Sequence, residues 1–220
     1  MKKTFQFNSG IAFISSAVLM IITMLSHPHA DSLDGLLKLP SIVFKINMFT
    51  HSVGILSVPF VLFGCWGLTK YLQNNIGLFA FFILALGMVT IIVAMVLDGF
   101  VTSIFINLVK TSTVPVSQID LIMTYNSSII KSLSLIYVFA ICIAIILYSI
   151  VILISDNFPK WTGIYGIITT LLAMIAIFNG VDLVDFLGIK IFVFGFLSWT
   201  LIIGIILKKL NITQIHSNQF

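Results

Sequence analysis

The chain contains no arginine and no glutamate, so its basic side chains other than histidine are all lysines and its carboxylates are all aspartates. Charged residues make up only 8% of the 220 residues, whereas hydrophobic residues make up 60%. A soluble domain would not stay dissolved with this balance, so the composition predicts a membrane protein. The net charge of +4 does not indicate nucleic-acid binding, because the sequence has no basic run interleaved with aromatic residues.

Cysteine is also scarce. Cys65 and Cys142 lie in two different apolar runs, and neither belongs to a CxxC or CxxCH motif. These spacings exclude a thioredoxin-like redox motif and a c-type haem attachment site. We interpret both residues as small buried hydrophobic side chains.

The long apolar runs predict the fold class. A bilayer core about 30 Å thick needs roughly 20 apolar residues of helix, and six runs meet this requirement. They cover residues 10–26, 46–69, 76–97, 130–154, 161–178 and 189–207. We therefore predict an all-α fold in which residues 1–220 form a single transmembrane domain, a polytopic bundle of six helices.

A cleaved signal peptide is the alternative for the first run, because Lys2 and Lys3 precede it and Ala30 offers a small residue at a cleavage position. Pro28 fits the minus-three position of such a site badly. Cleavage would leave five spans without inverting any of them.

The lysines predict the orientation. One set lies in short loops and tails close to the spans, where the positive-inside rule applies most strongly. This set comprises Lys2, Lys3, Lys70, Lys160, Lys208 and Lys209. Both termini are then cytoplasmic, and six of the seven aspartates lie on the outer side of the membrane. Those six are Asp31, Asp34, Asp98, Asp120, Asp182 and Asp185.

Short interfacial helices are expected on the outer side. Leu33, Leu36 and Leu37 would share one face of a helix within residues 32–39, and Pro40 would end it. Apolar residues also recur at helical spacing between Phe100 and Val109, so the third helix should continue beyond its span.

Three short motifs carry a resemblance. His27-Pro28 closes the first span, Asp98-Gly99-Phe100 closes the third, and Pro159-Lys160-Trp161 opens the fifth. In these motifs and in layout, most of the chain resembles a loose group of uncharacterised small bacterial integral membrane proteins. The resemblance implies six helices and a bacterial inner membrane, and it implies no activity.

Histidines and aspartates at the outer side are the candidate functional residues. His27, His29, His51 and Asp98 could converge, with Asp31 as a further ligand, to bind a divalent metal, since imidazole and carboxylate are ligands of zinc, non-haem iron and copper. A metal-bound water would then make the protein a membrane-embedded hydrolase. The sequence has no HExxH or similar paired motif that predicts this geometry.

The alternative is that His27 and His29 are interfacial residues and that Asp31, Asp34, Asp182 and Asp185 cap helices. His51 and Asp98 differ from these, because an ionisable residue in or at a span is costly unless it faces the bundle. Asp98 could equally form a structural ion pair with Lys45 or Lys131.

The sequence does not predict a two-haem electron path, because His51 is the only histidine within a span. It gives little support to transport, because no charge lies at the midplane. We therefore expect a multi-pass membrane protein that binds a small ligand, an ion or a membrane partner at an outward-facing polar cap. The ligand candidates are His51, Asp98, Asp182 and Asp185, and the metal-dependent hydrolase is the alternative.

Overall fold

The computed structural model describes residues 3–28 and 33–216, with side chains for 4–28 and 33–210. Every regular element in these ranges is helical, which confirms the predicted all-α class. The helices are α1 (Lys3–Ser26), α2 (Leu33–Lys38), α3 (Ser41–Leu72), α4 (Asn75–Val96), α5 (Thr102–Val109), α6 (Val116–Ile154), α7 (Lys160–Phe178) and α8 (Phe186–His216). A π-helical turn at Leu97–Val101 joins α4 to α5 without a break.

Six helical segments are long and apolar enough to cross a membrane, and each predicted span falls inside one of them. These segments are Thr4–Ser26, Ser41–Leu72, Asn75–Val109, Val116–Ile154, Lys160–Phe178 and Phe186–Leu210. The chain is therefore a multi-pass membrane protein. Large apolar side chains such as Phe79, Leu86 and Val89 on α4 point away from the bundle, as expected for residues that face lipid.

The long helices form a closed bundle. α1 packs along α3 and α8, α4 packs along α6, and α7 packs on the outside of α6. Aromatic residues fill the interior, and Phe13, Tyr137, Tyr148 and Trp199 are fully buried. Successive spans alternate in direction, so the last turn of α1, the first turns of α3 and the π-helical turn lie at one end. We call this the histidine end, because it carries His27 and His51.

A small apolar cluster covers part of the histidine end. Phe44, Ile106, Val109 and Ile119 are its buried members, and the apolar side chains of α2 pack against them. The ammonium group of Lys110 lies 4.4 Å from the centre of the Phe44 ring and donates a hydrogen bond to the carbonyl of Leu39. The third transmembrane helix thus continues past its span, as its spacing predicts, and helps to build this cover.

Candidate metal centre

Three titratable side chains meet at the histidine end. His27 lies just beyond α1, His51 on α3 and Asp98 in the π-helical turn after α4. Oδ2 of Asp98 lies 3.2 Å from Nε2 of His27 and 3.1 Å from Nε2 of His51. The two imidazole rings meet edge to face, with centroids 4.8 Å apart. One potential ligand atom from each residue lies within 4.8 Å of the others. The structure therefore brings together three of the four residues predicted to bind a metal.

The other ring nitrogen of each histidine contacts a backbone carbonyl. Nδ1 of His27 lies 2.8 Å from the carbonyl oxygen of Pro28, and Nδ1 of His51 lies 2.9 Å from that of Asn47. A carbonyl only accepts, so both Nδ1 atoms carry the hydrogen and donate it. In the neutral tautomers this leaves a lone pair on each Nε2, directed at the carboxylate. Metal-binding histidines are oriented by the same kind of second hydrogen bond.

The π-helical turn positions Asp98. Within it, the backbone N–H and the hydroxyl group of Thr102 both donate to the carbonyl of Leu97, five residues earlier. Such turns are rare and occur frequently at functional sites. The side-chain amide of Asn47 donates 3.1 Å to the carbonyl oxygen of Asp98 and 3.2 Å to the hydroxyl group of Ser103. These bonds tie α3 to the turn.

The cluster lies in the wall of a cavity of about 480 Å³. His51 is 4% exposed, whereas the side chain of Asp98 retains 37% of its accessible surface, so the carboxylate can be reached from the cavity. The wall is formed by α1, α2, α3, α4, α5, α6, α8 and the residues that precede α8. This volume is within the range of small-molecule sites.

The remaining predicted residues have different surroundings. His29 and Asp31 lie outside the described residues. Asp98 pairs with the two histidines, whereas Lys131 pairs with Asp182 at 3.3 Å. The predicted alternative of an ion pair between Asp98 and Lys131 is therefore not formed.

Asp182 and Asp185 accept hydrogen bonds from backbone N–H groups at and just before the start of α8. Asp182 accepts the backbone N–H groups of Val184 and Asp185, and Asp185 accepts that of Gly188. The Val184 N–H and the Lys131 ammonium lower the pKa of Asp182 from its usual value. Asp185 also lines the cavity, whereas the lining does not include Asp182.

Sequence reasoning missed the groups that support the cluster. Asn47 and Gly99 are not titratable, and nothing in their composition or spacing marks them. Gly99 has a role because His51 packs on its backbone, and a Cβ there would lie 2.4 Å from Cβ and Cγ of His51. In the sequence, the Asp98-Gly99 pair indicates only the end of the third span.

No protein-family model, no curated protein and no solved structure matches the chain. The function is therefore inferred from the convergence of His27, His51 and Asp98.

Proposed function

We propose that this protein is a membrane-embedded metal-binding protein that holds a divalent transition-metal ion with Nε2 of His27, Nε2 of His51 and Oδ2 of Asp98. One observation supports it above all. Nε2 of His27, Nε2 of His51 and Oδ2 of Asp98 converge, while both Nδ1 atoms lie at hydrogen-bond distance from backbone carbonyls, so neutral imidazoles that donate from Nδ1 present three acceptors to one another. Three acceptors that face one another need a cation between them.

Protons are the competing cation. A hydrogen on each Nε2 would also satisfy Oδ2 of Asp98, but it would place two imidazolium rings with centroids 4.8 Å apart against one carboxylate. Repulsion between two positive rings at this distance opposes that arrangement, whereas one metal ion would contact all three groups without it. Zinc bonds of 2.0–2.2 Å at a tetrahedral angle place two ligand atoms about 3.3–3.6 Å apart. The two nitrogen–oxygen distances, 3.2 and 3.1 Å, lie just below this range.

The ligand set also favours a second candidate function, hydrolysis. Two imidazoles and one carboxylate match catalytic zinc sites and the facial triad of non-haem iron, both of which keep an open position for water or substrate. Here that position would face the cavity. A bound water there would have a lowered pKa and could attack an ester or amide carbonyl, with its proton passing to the leaving group as the acyl bond breaks.

The proposed location is a bacterial inner membrane, with both termini in the cytoplasm and the metal facing outward. The lysines close to the spans at the end opposite the histidines support this orientation by the positive-inside rule. In the same proposal α2 is an interfacial helix on the outer surface.

The test measures metal directly. Protein purified without a polyhistidine tag is loaded with Zn²⁺ or Co²⁺, dialysed and analysed by elemental mass spectrometry. We expect about one metal ion per wild-type chain and loss of metal in His51→Ala and Asp98→Asn, with weaker retention at low pH because the ligands must be deprotonated. Asp182→Asn, which removes a carboxylate outside the cavity lining, is the matched control and should retain metal.

Folded wild-type protein that holds no metal after loading would overturn the proposal, as would equal loss of metal from the Asp182→Asn control. Hydrolysis of a p-nitrophenyl acyl ester by loaded wild-type protein, absent in His51→Ala, would add the hydrolase function. Metal binding without hydrolysis would leave the binding role alone.

A further inference from the structure

We infer that the cavity binds a single-chain lipid with an anionic head group, which lies at the level of the metal while the chain extends toward the bundle centre. The shared chemistry is a carboxylate or phosphate on one acyl chain. This inference rests on the proposed function, because the metal would contribute to binding the head group.

The cavity continues well below the metal ligands. Its lining includes Met20 on α1, Val58 on α3 and Met88 on α4. Met20 is seven residues deeper than His27, Val58 is seven residues deeper than His51, and Met88 is ten residues deeper than Asp98. At 1.5 Å per residue, these separations correspond to about 10–15 Å. A metal ion or a small polar solute does not need an apolar channel of this depth, whereas an acyl chain does.

The channel wall suits a flexible chain. Four methionines line it below the ligands, namely Met20, Met24, Met88 and Met95. Methionine is unbranched and polarisable, so it adapts to irregular apolar ligands. Val58 and Val193 line the channel from α3 and α8.

Lys131 lies at the depth of the metal ligands. Asn126 donates a hydrogen bond to Thr102 at 2.9 Å, which aligns α6 with the α4–α5 segment. Lys131 is five residues deeper than Asn126, and Asp98 is four residues deeper than Thr102, so their depths differ by only about 1.5 Å. Lys131 thus lines the cavity at this depth, and its ammonium group pairs with Asp182 at 3.3 Å.

Lys190 brings an ammonium group to the part of the cavity beside His27. It lies 3.8 Å from the centre of the Phe186 ring, and that ring packs against His27 with centroids 5.7 Å apart. With a divalent ion bound, the cationic groups of the lining outweigh its two carboxylates, Asp98 and Asp185. An anionic head group is complementary to this charge.

Tyr137 adds a deeper polar group. It lines the cavity and is fully buried, and its hydroxyl has no hydrogen-bond partner among the described residues. A polar atom of a bound ligand would satisfy this donor, which hydrocarbon alone cannot do.

The experiment uses Zn²⁺-loaded protein in phosphatidylcholine nanodiscs and three photoreactive probes with the same diazirine-bearing 16-carbon chain. One probe is the fatty acid, one the lysophosphatidic acid and one the neutral alcohol. We expect at least one anionic probe to label peptides containing Met20 or Met88 several-fold more strongly than the alcohol. The anionic probe that labels more strongly identifies the head group. Equal labelling by the alcohol would overturn the inference.

Val58→Phe tests the channel, because the larger ring would fill it without touching a metal ligand. We expect labelling to fall by about tenfold or more, since a filled core site resists added volume. Val193→Phe fills the channel from α8, and it is the test variant if Val58→Phe does not fold. Val89→Phe, at a site 59% exposed toward lipid, is the matched control and should label as wild type does.

Lys190→Gln should lower labelling by the anionic probes several-fold and leave the alcohol unchanged, whereas Lys70→Gln at the other end should change neither. Metal content is measured on every sample. Wild-type protein that holds metal but whose labelling is insensitive to Val58→Phe and Val193→Phe overturns this inference alone. Wild-type protein without metal overturns the proposed function, whatever its labelling.

Discussion

The imidazole of His51 packs directly on the backbone of Gly99, the residue that follows its carboxylate partner Asp98. A Cβ at position 99 would lie 2.4 Å from both Cβ and Cγ of His51 and 2.9 Å from its Nδ1. Real Cβ atoms do not approach other atoms so closely, so only glycine permits this arrangement. The close approach brings Nε2 within 3.1 Å of the carboxylate oxygen.

Gly99→Ala is therefore expected to weaken metal binding without removing a ligand. The added methyl group must displace the His51 ring, and disturbing the groups that orient metal ligands costs about 10–100-fold in affinity. Competition with a chelator of known affinity measures the change. Gly195→Ala is the control, because a Cβ there meets nothing within 4 Å, and it should bind metal as wild type does. Equal affinity in Gly99→Ala and wild type would contradict the positioning role.

Asn47→Leu should reduce both stability and metal affinity. The amide donates to the carbonyl of Asp98 and to the hydroxyl of Ser103, and losing buried hydrogen bonds of this kind costs about 1–3 kcal/mol. Thermal unfolding in detergent, with and without Zn²⁺, measures both effects. Ser103→Ala removes only the second bond, so it should be milder and leave the affinity for metal nearly unchanged. A larger loss of metal affinity in Ser103→Ala would refute this assignment.

The contact of α6, α7 and α8 provides a test of packing far from the metal. A Cβ on Gly166 would lie 2.3 Å from Oγ of Ser149 and 2.6 Å from Nε1 of Trp199, and both polar atoms are buried without a partner among the described residues. Ser149→Ala should be neutral or stabilising, because it removes an unsatisfied hydroxyl. Gly166→Ala should destabilise by about 1–3 kcal/mol through overpacking.

In the double variant, Ser149→Ala should restore part of the stability that Gly166→Ala removes, because the closest clash is with the deleted oxygen. Denaturant unfolding of the four proteins gives the coupling. Strictly additive effects would contradict a direct contact. Metal content should be unchanged in all four.

Asp182→Asn should lower stability at neutral pH and make no difference in acid. The Val184 N–H and the Lys131 ammonium lower the pKa of Asp182. A carboxylate with a lowered folded-state pKa contributes stability above its unfolded pKa of about 3.9 and loses it as pH falls through the folded value. The side chain is 47% exposed, so the contribution is at most about 1 kcal/mol.

Melting temperatures of wild type and Asp182→Asn between pH 7 and pH 3 measure this contribution. The two curves should converge toward pH 3. A gap that widens as the pH falls would show that the sign of the pKa shift is wrong.

The placement of ionisable residues was predictable only in part. The cost of an ionised group in lipid singled out His51 and Asp98, and the structure places them in contact. The same reasoning left Asp98 free to pair with Lys45 or Lys131, because one sequence does not state which helix faces which. The sequence leaves open whether His27 is a metal ligand or an interfacial residue, and in the structure its ring reaches back to Asp98 from just beyond α1.

The sequence by itself determined the number of transmembrane helices, because lipid requires each apolar run to satisfy its backbone internally as a helix. It also determined that His27, His51 and Asp98 lie near one end, since their positions along the spans follow from helix rise. Only the tertiary structure decided that they meet. These helices are apolar on nearly every side, so hydropathy does not reveal which face turns inward, and the close approach at Gly99 and the π-helical turn arise from packing between helices.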